Sequence, residues 1–510
     1  MSRSAARILR DTLEEFLIGE QYARLLHMRS PADDAAPSSR SRGRWLVSAA
    51  GSDAFAEARE GGELGADDMH WLERHLQRLP HTLAALRAEA ELRAALAAGQ
   101  LPSGEGLDLP ATLARLARAD DERARAAAAR EVEHALRPIA LQHVVAHARA
   151  EEPLLVRRVP AAGPDEGGKV PQRGSLIISP FSAEGLAGQS ARELPDEPWL
   201  ADAQVFLAST QAAAEEAVER CARKLGTGRP LSWHALLRVL RAPELDSDSG
   251  AKLRWRRVAA WLRSLGFERE LNARMRAEID RGATLPFASV VALTVPLDVR
   301  VAQGAVDAGV ASDLFAAGGV GHALGLSLVH PALPPEQRWP VGASAAGVLG
   351  ALAQQLWGER GQLARVQGLS ESAARRVSQV AGAIALLHTR ARAAVALAPL
   401  ADAGKPEARQ QALAEALGRA LCCDLPESVA GLLGANRVAA RAGALEALAG
   451  LALHVGLRER FDADWYRNPR SEELLRGACA SGNRLTPQDV CAEVTTPLSA
   501  AAARAIELVA

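Results

Sequence analysis

From Arg7 to Leu26 apolar residues recur at steps of three and four, the spacing that gathers them on one face of a helix. The stretch Ser30 to Arg44, rich in Ser, Pro, Asp and Arg, then reads as a loop, and helical patterns dominate as far as about Glu152. Pro and Gly concentrate between Arg158 and Gly174, with a second irregular stretch from Gly188 to Pro198. This predicts an N-terminal helical lobe over 1–157, a linker and irregular segment over 158–200, and a C-terminal helical lobe over 201–510.

In the second half, Trp255, Val258, Leu262 and Leu265 share a helical face, and Leu271, Met275 and Ile279 are expected to continue it. The period then changes. Val291, Leu293, Val295, Leu297, Val299 and Val301 alternate with other residues, which predicts a half-buried strand or hairpin, with Pro296 at an edge or dividing it in two. The alanine-rich run Ala373 to Ala398 predicts a helix whose small side chains permit close packing. The last helix is expected to open at Thr486-Pro487-Gln488-Asp489, where Thr can cap, Pro fits the first turn and an acid occupies the box position. The fold class is mainly α with a small β element, without internal repeats.

Composition narrows the function. With 510 residues, 48% of them hydrophobic, the chain can build a large core. A net charge of -1 with interspersed signs excludes the basic face that nucleic acid or an anionic membrane would need. Five cysteines, Cys221, Cys422, Cys423, Cys479 and Cys491, have neither framework nor CxxC spacing and point to reduced thiols. The first residues lack the apolar core of a signal peptide, and no stretch reaches about 18 uninterrupted apolar residues, so the default expectation is the cytoplasm.

The chemistry lies after the alternating segment. A strand, a short loop and Asp313-Leu314-Phe315-Ala316-Ala317-Gly318-Gly319-Val320-Gly321-His322-Ala323-Leu324 resemble the approach to the active-site helix of zinc metallopeptidases of the thimet oligopeptidase and oligoendopeptidase F type, a gluzincin family whose helix reads L-x-x-HE-x-GHA-L. His330-Pro331-Ala332-Leu333-Pro334 resembles the family's next segment. Phe461-Asp462-Ala463-Asp464-Trp465-Tyr466-Arg467-Asn468-Pro469 with Glu473-Leu474-Leu475-Arg476 resembles the FDEDWWRNP…FLR close of bacterial relatives. The likeness is clearest from Ala288 to Val494.

The family's motif needs two histidines four apart to face one zinc, a glutamate between them as general base, and a glutamate on the next helix as third ligand. Aligned on Gly321-His322-Ala323, those places hold Gly318, Gly319 and His322, and the third falls on Ala346. The resemblance therefore implies a bilobed helical metallopeptidase-like fold, with its small hairpin or sheet beside a degenerate active-site helix and with zinc absent. Only Tyr22 and Tyr466 could supply a phenol, so no oxyanion donor is evident. Consecutive glycines inside such a helix cost about 1 kcal/mol each relative to alanine, and allow a kink or a close approach by another chain.

Other signals read as packing. His143 and His147, four apart and followed by Glu151 and Glu152, have the spacing for a divalent site but no glutamate between them. Gly319-Val320-Gly321 lacks the strand and third glycine of a dinucleotide turn, Ser344 reads as a helix-entry residue, and the pair Cys422-Cys423 as buried small hydrophobes. The function expected is that of a non-catalytic pseudopeptidase that binds a peptide or protein partner in the inter-lobe cleft. Cleft-lining residues implied by the resemblance are Val295, Val299, Gly318, Gly319, His322, His330 and Ala346. The alternatives are an active peptidase with relocated ligands, drawn from His143, His147 or His330, and a purely structural assembly subunit.

Overall fold

The computed structural model describes residues 4–29, 39–62, 64–100, 106–119, 121–151, 156–157, 192–193, 197–224, 231–245, 251–280, 288–304, 309–365, 367–398 and 405–510. The expected linker at Arg158 to Gly174 lies outside them; a two-residue antiparallel ladder pairs Val156 and Arg157 with Glu193 and Arg192 on either side of it.

The architecture is helical with one small sheet, as the hydrophobic periods predict. Long helices α1 (Ala5–Arg29), α2 (Ala66–Ala98) and α3 (Glu122–Glu151) form most of the first part. A helix over Ser39–Leu46 occupies part of the stretch expected as a loop, because Leu46 is buried with Leu9, Leu13 and Phe16 of α1 and that contact holds the turn helical. Residues 30–38 of that stretch are outside the described residues.

Strands β1 (Met275–Asp280), β2 (Ala288–Thr294) and β3 (Asp298–Gly304) form a sheet of order β1-β3-β2, with β1 parallel and β2 antiparallel to β3. The alternating valines are thus a hairpin turning at Pro296. Met275 and Ile279 correct the expected helical continuation: the helix ends at Ala273, and Met275-Arg276-Ala277-Glu278-Ile279 has its own period of two, which β3 satisfies by placing Val299 opposite Met275 and Val301 opposite Ala277. Arg300 in the central strand donates to Glu278 Oε1 at 2.7 Å and to Asp298 Oδ2 at 3.0 Å, joining β1 to the hairpin.

Against this sheet lies α4 (Val310–Leu328), followed by α5 (Ala345–Trp357), α6 (Glu371–Leu397) and α7 (Arg437–Phe461). Helices α6 and α7 are apolar and long enough to cross a membrane, but 78% and 61% of their apolar windows are buried inside the molecule, as in core helices. The Thr486–Asp489 capping box forms as expected, but another helix, Ala500–Val509, follows it. One apolar core draws residues from Leu96 to Val509, and a smaller one joins α1, the turns after it and α2.

Buried polar groups pin the helices. Arg390 on α6 donates to the carbonyls of Ala420 (3.0 Å) and Leu207 (2.8 Å), to Thr210 Oγ1 (2.6 Å) and to Gln211. Arg409 donates to Glu151 Oε2 at 2.9 Å. Near the start of the chain, Arg10 Nε donates to Glu336 Oε1 at 2.8 Å, and Arg338 donates to Glu14 at 2.6 Å, which fastens α1 to the loop after α4.

Candidate functional site

Helices α4 and α5 are in backbone contact. A Cβ on Gly321 would lie 2.4 Å from Ala353 Cβ and 2.7 Å from the Leu349 carbonyl; one on Gly350 would lie 2.9 Å from the Gly318 carbonyl and 3.1 Å from His322 Cβ. α4 runs unbroken, and its glycines admit the backbone of α5 of the same chain. His322 therefore emerges opposite Gly350. Its Nε2 is enclosed without a hydrogen-bond partner, and burial, followed by the charges of Arg24 and Arg392, pushes its pKa down to about 4. The ring is neutral at physiological pH.

Three groups that sequence reasoning missed share this region. On α6, His388 packs its ring edge-on to Phe315 at 5.0 Å, and burial, then the charge of Arg392, holds its pKa well below the ordinary range. One turn on, Arg392 is half-buried, and its pKa is lowered by burial against the pull of Glu446. Glu446 on α7 accepts from the Ser344 backbone N–H at 3.0 Å and from Ser344 Oγ at 3.3 Å. Burial pushes its carboxyl up to about 7, although Arg392 and Ser344 pull the other way. Ser344 also caps α5, accepting from Gly347 N at 3.1 Å, as its sequence position implied. The available signal was a titratable side chain in an otherwise apolar helix: His388 and Arg392 lie within the alanine-rich run, and Glu446 interrupts Ala-Leu-Glu-Ala-Leu-Ala.

The other expected cleft residues scatter. Gly318 and Gly319 are partly exposed beside His322. Ala346 is buried, its Cα 2.5 Å from where a Cβ on Gly325 would be. Val295 and Val299 do not line an opening: both are fully buried, because the inward face of the hairpin belongs to the core. His330 is exposed to solvent, its Nδ1 accepting from Ala332 N at 3.3 Å. Tyr466, raised in pKa by burial, lines with Trp465 and Trp261 a small cavity of about 20 Å³ on the Gly321 and Leu324 face of α4, and His322 is not part of that wall. None of the five cysteines forms a disulfide; Cys423 is buried, whereas Cys422 is half-exposed at a left-handed helix end, which corrects the expectation of a buried pair.

A zinc at His322 does not fit this donor set. Gly318, Gly319 and Ala346 offer no ligand atom, and among the described residues the group of donors close enough to share one ion is Glu89, His143 and His147, elsewhere in the fold.

No protein-family model matches the chain, and no curated protein matches it. Solved structures do. PZ peptidase A, solved with an inhibitor, superposes over 97% of this chain and 89% of its own, with a TM-score of 0.61 and 11% identity. A protein assigned as oligoendopeptidase F from Bacillus anthracis str. Ames superposes over 97% and 88%, with a TM-score of 0.58 and 12% identity. A third chain, assigned as oligoendopeptidase F, gives 91% and 81%, 0.53 and 12%. The chain therefore has the helical fold of these peptidases, in agreement with the expected fold class.

Proposed function

We propose that this chain is a non-catalytic member of the oligopeptidase fold, a cytoplasmic pseudopeptidase that holds a peptide or protein partner between its helical lobes and uses neither zinc at His322 nor nucleic acid or membrane. One observation carries the reading. Of the four positions matched to the family's zinc ligands and general base, His322 alone carries a metal-competent side chain; the other three are Gly318, Gly319 and Ala346. The polar groups nearby, His388, Arg392 and Glu446, come from α6 and α7 and do not rebuild the motif.

Tag-free protein assayed with internally quenched peptides, with and without added zinc and with chelator, tests it. The expected result is no chelator-sensitive hydrolysis, together with saturable binding of a peptide from a display library. Chelator-sensitive hydrolysis that disappears in His322→Ala overturns it.

A second reading, a peptidase with relocated ligands, draws on the Glu89, His143 and His147 group. Its histidines are almost wholly enclosed, which leaves no path for a peptide bond to reach an ion there.

A further inference from the structure

The contact between α2 and α3 gathers donors that the proposed function does not use. On α3, His143 and His147 are one turn apart, with ring centroids separated by 4.5 Å and planes at 87°. Glu89 on α2 reaches the same point, so that one ligand atom from each of the three lies within 4.8 Å of the others. His147 is 0% exposed and His143 5%, yet His143 Nδ1 and both ring nitrogens of His147 have no hydrogen-bond partner. Leaving such atoms unsatisfied in a core costs about 1–3 kcal/mol each. Glu89 Oε1 stands 3.5 Å from His147 Nε2. That is long for a hydrogen bond. It is close to the separation of about 3.3 Å between two ligands that each bond a tetrahedral ion at about 2.0–2.1 Å.

We propose that Glu89, His143 and His147 bind one divalent transition-metal ion of the zinc class, and that this ion cross-links α2 to α3. The donor set is two imidazoles and a carboxylate, and the fourth place falls to water or to His81. His81 lies two turns before Glu89 on the same helix, within electrostatic reach of His147, and its own Nε2 is buried without a partner. The Glu89 side chain is 41% exposed, which provides the entry path.

Sequence spacing pointed to Glu151 and Glu152 as the accompanying acids. The structure commits Glu151 to Arg409 and to the Arg437 backbone N–H, Glu152 lies outside the described residues, and the carboxylate at the histidines comes from α2. With both histidines enclosed, the ion is structural. It is independent of the pseudopeptidase reading, since none of its ligands belongs to the His322 centre.

The test uses tag-free, full-length protein stripped with chelator, dialysed and titrated with Co(II) alone. We expect about one Co(II) per chain, the intense visible bands of a tetrahedral nitrogen and oxygen site, displacement by zinc and a higher Tm. Glu89→Gln, a change at a partly exposed side chain, and His143→Ala should each weaken binding by more than the roughly 10–100-fold that loss of an outer-shell partner costs. His322→Ala should leave it unchanged. The proposal is overturned if no band and no Tm shift develop at millimolar Co(II), if the band survives in folded Glu89→Gln and His143→Ala proteins, or if His322→Ala abolishes it.

Discussion

The Glu446 carboxyl occupies the space in which a side chain at Gly347 would begin: a Cβ there would lie 1.9 Å from the carboxyl carbon. An acid from α7 thus fills the flank of α5, next to the position matched to the family's third ligand, and the Ser344 cap holds it there.

This enclosed acid makes stability depend on pH. Its pKa is raised in the folded state to about 7 from an ordinary value near 4.5, so the folded protein binds more protons between those values. The stability it contributes is present below about pH 4.5 and is lost as pH rises through 7. Arg392 and Ser344 face it. Glu446→Gln should therefore match the parent near pH 5 and exceed it near pH 8, by at most about 3 kcal/mol. Urea unfolding at the two pH values measures this, and a pH-independent difference would show that the carboxyl is solvated.

The histidines act in the opposite direction. His75 and His322 both have folded pKa values pushed down to about 4, chiefly by burial, from about 6.5. Each contributes stability that is present above pH 6.5 and is lost as pH falls toward 4, up to about 3 kcal/mol apiece. The urea midpoint should drop steeply over that window. His322→Gln should make the drop shallower by its own share, and an unchanged slope would contradict the burial of that ring.

Arg390 has no carboxylate partner among its hydrogen bonds, and those bonds bind α6 to the segments around Leu207 and Ala420. Arg390→Met would leave several acceptors unsatisfied and should cost about 3–5 kcal/mol. Chemical denaturation reads it directly; a loss under about 1 kcal/mol would mean that water replaces the guanidinium.

Two glycine substitutions should separate cleanly. Gly350→Ala puts a methyl 2.9 Å from the Gly318 carbonyl and should lower stability by about 1–3 kcal/mol. Gly361→Ala, on a helix with nothing within 4 Å, should be neutral or stabilising by up to about 1 kcal/mol. Equal effects in thermal melts would refute the close helix contact.

The readable parts of this fold were those with a local cause. Alternating valines announced the hairpin, and Thr486 with Asp489 announced a capping box, because period and cap chemistry act within a few residues. Met275-Arg276-Ala277-Glu278-Ile279 was misread because five residues fit both periods, and the deciding partner, β3, is about twenty residues away. The same distance hid Glu446 and Glu89. Each completes a cluster only across a helix contact, while the His143 and His147 pair beside Glu89 is legible from its spacing alone.

The contact between α4 and α5 also bears on whether a zinc motif could be built here. A Cβ at 318 would meet Gln354 Cβ and the Gly350 carbonyl at an ordinary 3.5 Å, so a side chain can begin there without a clash. A glutamate at 346 would have to grow from an Ala346 that already presses on the Gly325 backbone. On the pseudopeptidase reading, introducing the motif one residue at a time would thus leave the third ligand without room, and a zinc site there would require the two helices to part.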